Sequence, residues 1–324
     1  MPARAACLAA LLVAGVCQGP TAHHNSATPT PRRAVARPVS TLPACRLPLV
    51  SYPSYVDGIT ATPGAGGFLN FPAGTFTVDP TAAGSYDRAV SRWIPAQREG
   101  TSADGLHYAY ASTNAGQLSN HPVAPESDII VVDARSGAKR DFHFLIWYAV
   151  ASYEPEGVYL YRYEFNGPRW GLWLLDPSTG SLTTISADQN YYWEQVGHGV
   201  AWALTSSAGD SGNPDTLARM DLDTKQITKT PGNPNIQLIG QDQTGQPIMV
   251  RDLNPGFDVI VGQATIAYEP SAPINAAPGR YVVTDARGMW FSSPDGQIWL
   301  YSGGSFRHIA RVALDAPVIA GDCA

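Results

Sequence analysis

From residue 45 onward the chain is written in short alternations of apolar and polar positions. HYAYAS (107–112), DIIVVDARSG (128–137), VYLYRYEF (158–165), GLWLLDPSTG (171–180), GVAWALTSS (199–207) and GQIWLYSGG (296–304) show the pattern most plainly. A period of two carried by aromatic and β-branched residues marks half-buried strands. No stretch sustains the 3.6-residue period of an amphipathic helix. The predicted fold is all-β.

The turns between these strands repeat. VVDARSGAKRDF, LLDPSTGSLTTI and RMDLDTKQITKT share one plan, a strand ending in Asp133, Asp176 or Asp221, then a tight turn, then a second strand. A carboxylate at that place can accept backbone N–H bonds within the turn. The plan puts Gly137, Gly180 and Lys225 at the fifth place, and it recurs with Gly74, Gly262 and Gly304. These six marks lie 63, 43, 45, 37 and 42 residues apart. A period near 40–45 residues built from antiparallel strands is the spacing of propeller blades. The long first interval contains the polar stretch 112–127, which reads as a loop insertion. The residues after Gly304 and those from Cys45 to Gly74 make one further interval, so a closing blade is expected from both chain ends, removing the exposed sheet edge. Six blades fit the spacing best, with five or seven as alternatives.

TSADGLHYAYAS (101–112), with Ser102, Asp104, Gly105, Tyr108 and Tyr110, resembles the S-P-D-G repeat of bacterial TolB-like propellers. SDIIVVDARSG continues it as that family's next strand and turn would. Ser293-Pro294-Asp295-Gly296 carries the motif again, directly before QIWLY and so out of phase. The resemblance is clear over about two blades and implies a fold more than a function, because propellers host unrelated activities.

The remaining composition sets the compartment and the partners. Residues 1–17 carry one early charge, Arg4, and then an apolar run of signal-peptide length, too short to span a bilayer. Leu12-Val13-Ala14-Gly15-Val16-Cys17 resembles a lipobox, although Leu is displaced and Val16 is bulky. Acylation of Cys17 and ordinary cleavage with secretion both stay open. A lipid at Cys17 would be the membrane contact. Residues 18–43 are rich in Pro, Thr, Ala and Arg without apolar periodicity and read as a disordered tether. The folded region is 44–324, and Cys45 and Cys323 stand at its two ends. In an exported chain they are expected to form a disulfide that clips the closing blade. With Arg4, Arg32, Arg33 and Arg37 set aside, 17 of the 21 basic residues stand against all 27 acidic ones, a balance of −10. Such a surface repels a phosphate backbone, so no nucleic-acid partner is expected.

Candidate chemistry is sparse. Gly209-Asp210-Ser211-Gly212 resembles the nucleophile loop of chymotrypsin-like proteases, and Asp128 lies at a fitting distance upstream. No histidine occurs between His24 and His107, so the base is missing, and a serine hydroxyl without a positioned base is a poor nucleophile. Ser211 is read as a turn residue. His107, His121, His143, His198 and His308 are scattered without metal-ligand spacing, and His198 is expected to satisfy backbone groups. No cofactor or metal is expected. Trp147, Trp173, Trp202 and Trp299 sit in strand runs and are expected between blades.

The expected function is an exported, monomeric propeller acting as a binding or scaffolding module for a protein or glycan. The alternative is an extracytoplasmic enzyme (a glycan hydrolase, lyase or lactonase) using polar groups in the central funnel. Carboxylates from several blades around a metal would favour the enzyme. Loops between second and third strands (112–127, 164–170, 206–215) and links between blades (187–193, 231–236, 268–278) are the longest connections and should share one face. Function sits most often on elaborated loops carried by a rigid scaffold. Arg169, Trp170, Asp188, Tyr191, Tyr192, Asp210 and Asp215 are therefore the candidate binding residues.

Overall fold

The computed structural model describes residues 44–324 apart from 52–54, 57–59, 62–65, 114–124, 163–169, 206–215, 232–235, 253–256, 263 and 269–281. The expected leader and tether (1–43), Cys17, Arg169, Asp210, Ser211 and Asp215 lie outside the described residues. Among those described, strands dominate and no helix is long and apolar enough to cross a membrane.

Strands are numbered β1–β27 in chain order. One sheet joins both chain ends in the order β27-β1-β4-β5, from β1 (Cys45–Ser51), β4 (Gly66–Phe71), β5 (Thr75–Val78) and β27 (Pro317–Ile319). The next has three strands in the order β10-β9-β8: β8 (His107–Thr113), β9 (Ser127–Asp133) and β10 (Lys139–Phe144). Two four-stranded meanders follow. The first holds β11 (Tyr148–Glu154), β12 (Gly157–Arg162), β13 (Trp170–Leu175) and β14 (Leu182–Ser186). The second holds β15 (Tyr192–Gly197), β16 (Val200–Thr205), β17 (Thr216–Asp221) and β18 (Ile227–Pro231). Two more complete the series: β19 (Ile236–Gln241) to β22 (Ala264–Tyr268) through β20 (Pro247–Asp252) and β21 (Phe257–Val261), then β23 (Val282–Asp285) to β26 (Ser305–Arg311) through β24 (Gly288–Ser292) and β25 (Gln297–Ser302). Two small hairpins are added, β2 (Tyr55–Val56) with β3 (Thr60–Ala61) and β6 (Ser85–Asp87) with β7 (Arg92–Ile94).

The first strands of successive sheets lie side by side, β11 against β15, β15 against β19 and β19 against β23, and β24, the second strand of its sheet, lies against β27. In the three-stranded sheet the inner place is held by one bridge, Thr101 to Tyr108, beside a 3-10 turn at Arg98–Gly100. Sheets standing radially with their first strands innermost make a β-propeller, and β27 pairing with β1 closes it. The backbone of Arg46 also exchanges hydrogen bonds with Ala324 at 2.7 and 3.0 Å, and the Cys45–Cys323 disulfide ties β1 to the segment that follows β27.

Each seam between neighbouring sheets has its own apolar cluster. Trp193 packs with Tyr159 and Leu172 across one seam, and Trp299 with Ile239 and Phe257 across another. Trp147, Trp173, Trp202 and Trp299 are all buried, the last three in strands as expected and Trp147 in the link just before β11. A fully buried Leu, Ile or Phe contributes about 1.5–3 kcal/mol, so these clusters carry most of the favourable energy. The seam after the closing sheet is different. There the β6–β7 hairpin stands between the sheets, with Trp93 packed on Val50 and Val318 and with Ile94 packed on Tyr108 and Val132. This hairpin and the reduced inner strand account for much of the long first interval. The expected loop insertion at 112–127 falls in the same interval, and its residues 114–124 lie outside the described residues.

All six turn marks connect a third strand to a fourth. Asp133 Oδ1 accepts the amides of Arg135 and Ser136, Asp176 that of Ser178, and Asp221 that of Thr224. Lys225 holds the positive-φ place taken elsewhere by glycine, at 61°. The hydroxyls of Ser178 and Thr179 hold the Asp176 carboxyl down at about 2.

Candidate functional site

The antiparallel order gives the ring two distinct mouths. Second-to-third loops and inter-sheet links meet at one mouth. First-to-second and third-to-fourth turns meet at the other. Gly171 N donates to Tyr191 O at 3.3 Å, and Thr205 pairs with Thr216, so the described ends of loops 164–170, 187–193 and 206–215 share a face. The candidates there are mostly committed to packing. Trp170 is buried, edge-on to Trp173, with the Arg162 guanidinium 4.7 Å from its ring centre. Tyr191 is buried, stacked on Trp193 and covered by the Lys229 ammonium at 5.1 Å. Tyr192 is half-buried against Tyr161, and exposed Asp188 accepts both the backbone and side-chain N–H of Asn190.

A cavity of about 570 Å³ opens among the C-terminal ends of the inner strands, at the mouth of the uniform turns. Its wall takes residues from several sheets. Ser152, Tyr153 and Glu154 come from the end of β11, Gln195 to His198 from β15, and Gly240 and Gln241 from β19. The 3-10 segment supplies Arg98, Glu99 and Thr101, the following turn Asp104, the C-terminal segment Asp322, and the β6–β7 hairpin Asp87 and Arg88. Five carboxylates thus face two guanidinium groups, and Arg98 is already paired with Asp322 at 2.9 Å.

Local sequence explains these positions. A strand directed down the channel wall presents its last polar residue where the channel widens, just before the chain turns back. At the end of β15 the return is a two-residue turn, His198-Gly199, with φ of 54° and 75°. Positive φ at both central residues is the geometry that matches hairpin twist. His198 is consequently exposed at the rim. Gly197 matters because it is bare. A Cβ there would stand 3.2 Å from Glu154 Oε1 and 3.4 Å from Gln241 Oε1, so two acceptor oxygens from neighbouring sheets converge over this glycine. The Ser152 hydroxyl donates to Glu154 Oε1 at 2.5 Å and fixes the carboxylate.

The polar groups around the cavity are incompletely matched. Among the described residues six buried side-chain polar atoms have no hydrogen-bond partner, and three belong to cavity residues: Asp87 Oδ2, Thr101 Oγ1 and Gln241 Nε2. Asp87 is 6% exposed, and its Oδ1 accepts the Ala89 amide at 2.8 Å. Burial pushes its carboxyl above the usual range. Asp104 behaves oppositely, because the Ser102 hydroxyl and the Leu106 amide hold its carboxyl down. The Ser102–Gly105 motif singled out in the sequence is therefore a first-to-second turn at this mouth. Its copy at Ser293–Gly296 joins β24 to β25 at the other mouth, which is why it is out of phase. Sequence reasoning missed Asp87, Glu154 and Gln241. The signal available was a polar residue closing β6, β11 and β19.

No group of three His, Cys, Asp or Glu side chains among the described residues is arranged to hold a metal ion. No family model and no curated protein matches the sequence. Among solved structures the chain is similar to TolB from Acinetobacter baumannii, at 15% identity and a TM-score of 0.45, over 65% of this chain and 54% of that one. It thus matches about half the length of that protein. It is also similar to a calcium-binding protein, regucalcin, from Agrobacterium tumefaciens (15% identity, TM-score 0.37, 60% of this chain and 72% of that one). A third similarity is to a putative 6-phosphogluconolactonase from Bacteroides uniformis (10% identity, TM-score 0.42, 84% of this chain and 98% of that one).

Proposed function

We propose that this chain is an exported propeller that binds a small polar ligand in the central cavity at its uniform-turn mouth. One observation carries the reading: polar side chains from the first strands of three sheets, Glu154, Gln195 and Gln241, converge with Asp87 and Asp104 on one cavity. A volume of about 570 Å³ suits a metabolite-sized molecule that hydrogen-bonds to such groups. The buried disulfide between Cys45 and Cys323 supports an oxidising compartment, in keeping with the leader read from the sequence.

The test is a thermal-shift panel of amines, amino acids, sugars and sugar lactones against the native protein and Gly197→Leu. Saturable stabilisation that the leucine abolishes supports the cavity. An absence of hits, or hits that survive Gly197→Leu, counts against it. A second reading draws on the carboxylates that several sheets bring to the same cavity, an arrangement suited to acid–base chemistry. Turnover of a sugar lactone followed by NMR, lost in Glu154→Gln, would establish that reading.

A further inference from the structure

We infer that the cavity selects an organic cation, a molecule ending in a protonated amine or guanidinium group, held between Glu154 and Gln241. The inference rests on the central cavity being the binding site and names the class of its ligand. Three observations converge on it. First, the two oxygens that meet over Gly197, Glu154 Oε1 and Gln241 Oε1, are both acceptors. A cationic N–H group can donate to both at once, whereas an anion would be repelled. Second, acids outnumber bases around the cavity: Asp87, Glu99, Asp104, Glu154 and Asp322 line it against Arg88 and Arg98, and Arg98 is already bound to Asp322. Third, Asp87 is more than nine-tenths buried in the wall of the same cavity and places a further carboxylate behind it. A buried carboxylate is stabilised by an arriving opposite charge.

The ligand is thus recognised at one end by charge-assisted hydrogen bonds and fills the remaining space with a chain or ring of metabolite size. Such bonds contribute more than neutral ones, and removing the charged acceptor should weaken binding roughly 10- to 100-fold.

Calorimetric titration of the full chain with cadaverine and agmatine tests this, with xylitol as the neutral probe and calcium chloride as the metal probe. Acetyl-Gly-Lys-Gly-amide asks whether the cation is carried on a peptide. The expected result is saturable binding of the amines that weakens with salt, falls at least about tenfold in Glu154→Gln and is unchanged in Asp128→Asn. Asp128 serves as the control because it lies on β9, away from the cavity wall, paired with His143 of β10 at 2.9 Å. Tighter binding of the peptide than of both amines assigns the cation to a chain; the reverse order assigns it to a free molecule. If xylitol binds as well as the amines and Gly197→Leu abolishes it, the cavity stands and the cation is refuted. Binding of calcium without the amines also refutes the cation. If nothing binds, both readings fall.

Discussion

The disulfide offers the sharpest quantitative test of ring closure. Cys45 and Cys323 are 278 residues apart in sequence, with Cα atoms 5.5 Å apart, so the bond closes nearly the whole folded region as one loop. Replacing both by serine frees that loop in the unfolded chain. For 278 residues the chain-entropy relation gives a loss of about 5.6 kcal/mol at 25 °C. Residual structure in the unfolded chain lowers that figure, and measured losses run at about 2–5 kcal/mol. The folded state should survive, because other contacts hold the same closure. Arg46 and Ala324 exchange backbone bonds, Leu49 pairs with Ile319, Asp285 accepts the Cys323 amide at 3.0 Å, and Arg287 donates to the Cys323 carbonyl at 2.5 Å. The assay is reversible urea unfolding followed by tryptophan fluorescence. With an m-value of about 3 kcal/mol per molar, the midpoint should fall by roughly 1–2 M, with little change in the native spectrum. Native protein in strong reductant should match the variant. A loss under about 1 kcal/mol, or a variant with no native spectrum, would refute the division of labour between covalent and hydrogen-bonded closure.

Further outcomes follow from single residues. Asp87→Asn should raise the melting temperature at neutral pH. Its carboxyl lies above its ordinary 3.8 through burial, so the charged form destabilises the fold above that range, and the gain should vanish as pH falls and the acid is protonated. Asp176→Asn should do the reverse. The carboxyl held at about 2 contributes stability present above 3.8 and lost as pH falls through about 2, so the variant should melt lower at pH 7 and equal the parent near pH 2. Gly137→Ala, at φ of 73° with open space around it, should cost about 1–2 kcal/mol in urea unfolding. Gly84→Ala adds a Cβ 2.3 Å from the Ile94 carbonyl oxygen and should cost clearly more; equal losses would contradict the packing of the β6–β7 hairpin. Ser211→Ala should leave ligand binding intact, and fluorophosphonate should not label the chain.

The repeat frame was legible because it rests on local chemistry. An aspartate that caps its own turn and a glycine at positive φ leave fixed marks, and these gave the third-to-fourth turns and the composite closing sheet, while the two cysteines at the ends of the folded region gave the Cys45–Cys323 bond. The β6–β7 hairpin was not legible, since SYDRAVSRWI carries no long alternation and its burial comes from contacts with Val50 and Tyr108, far away in sequence. The site reading leaned on loop length and so favoured one mouth. At that mouth Trp170 and Tyr191 turned out to be buried by Trp173 and Trp193, contacts that strand-end position alone does not reveal. The other mouth is built from Glu154, Gln241 and Asp87. Each is unremarkable in sequence, and they are brought together only when first strands from separate sheets converge.

A crystal structure of the full chain grown with agmatine tests the functional account most directly. The account predicts the guanidinium in the cavity of the uniform-turn mouth, within hydrogen-bond distance of Glu154 and Gln241 and beside Asp87. Agmatine ordered among loops 164–170 and 187–193, with that cavity holding only water, would contradict it.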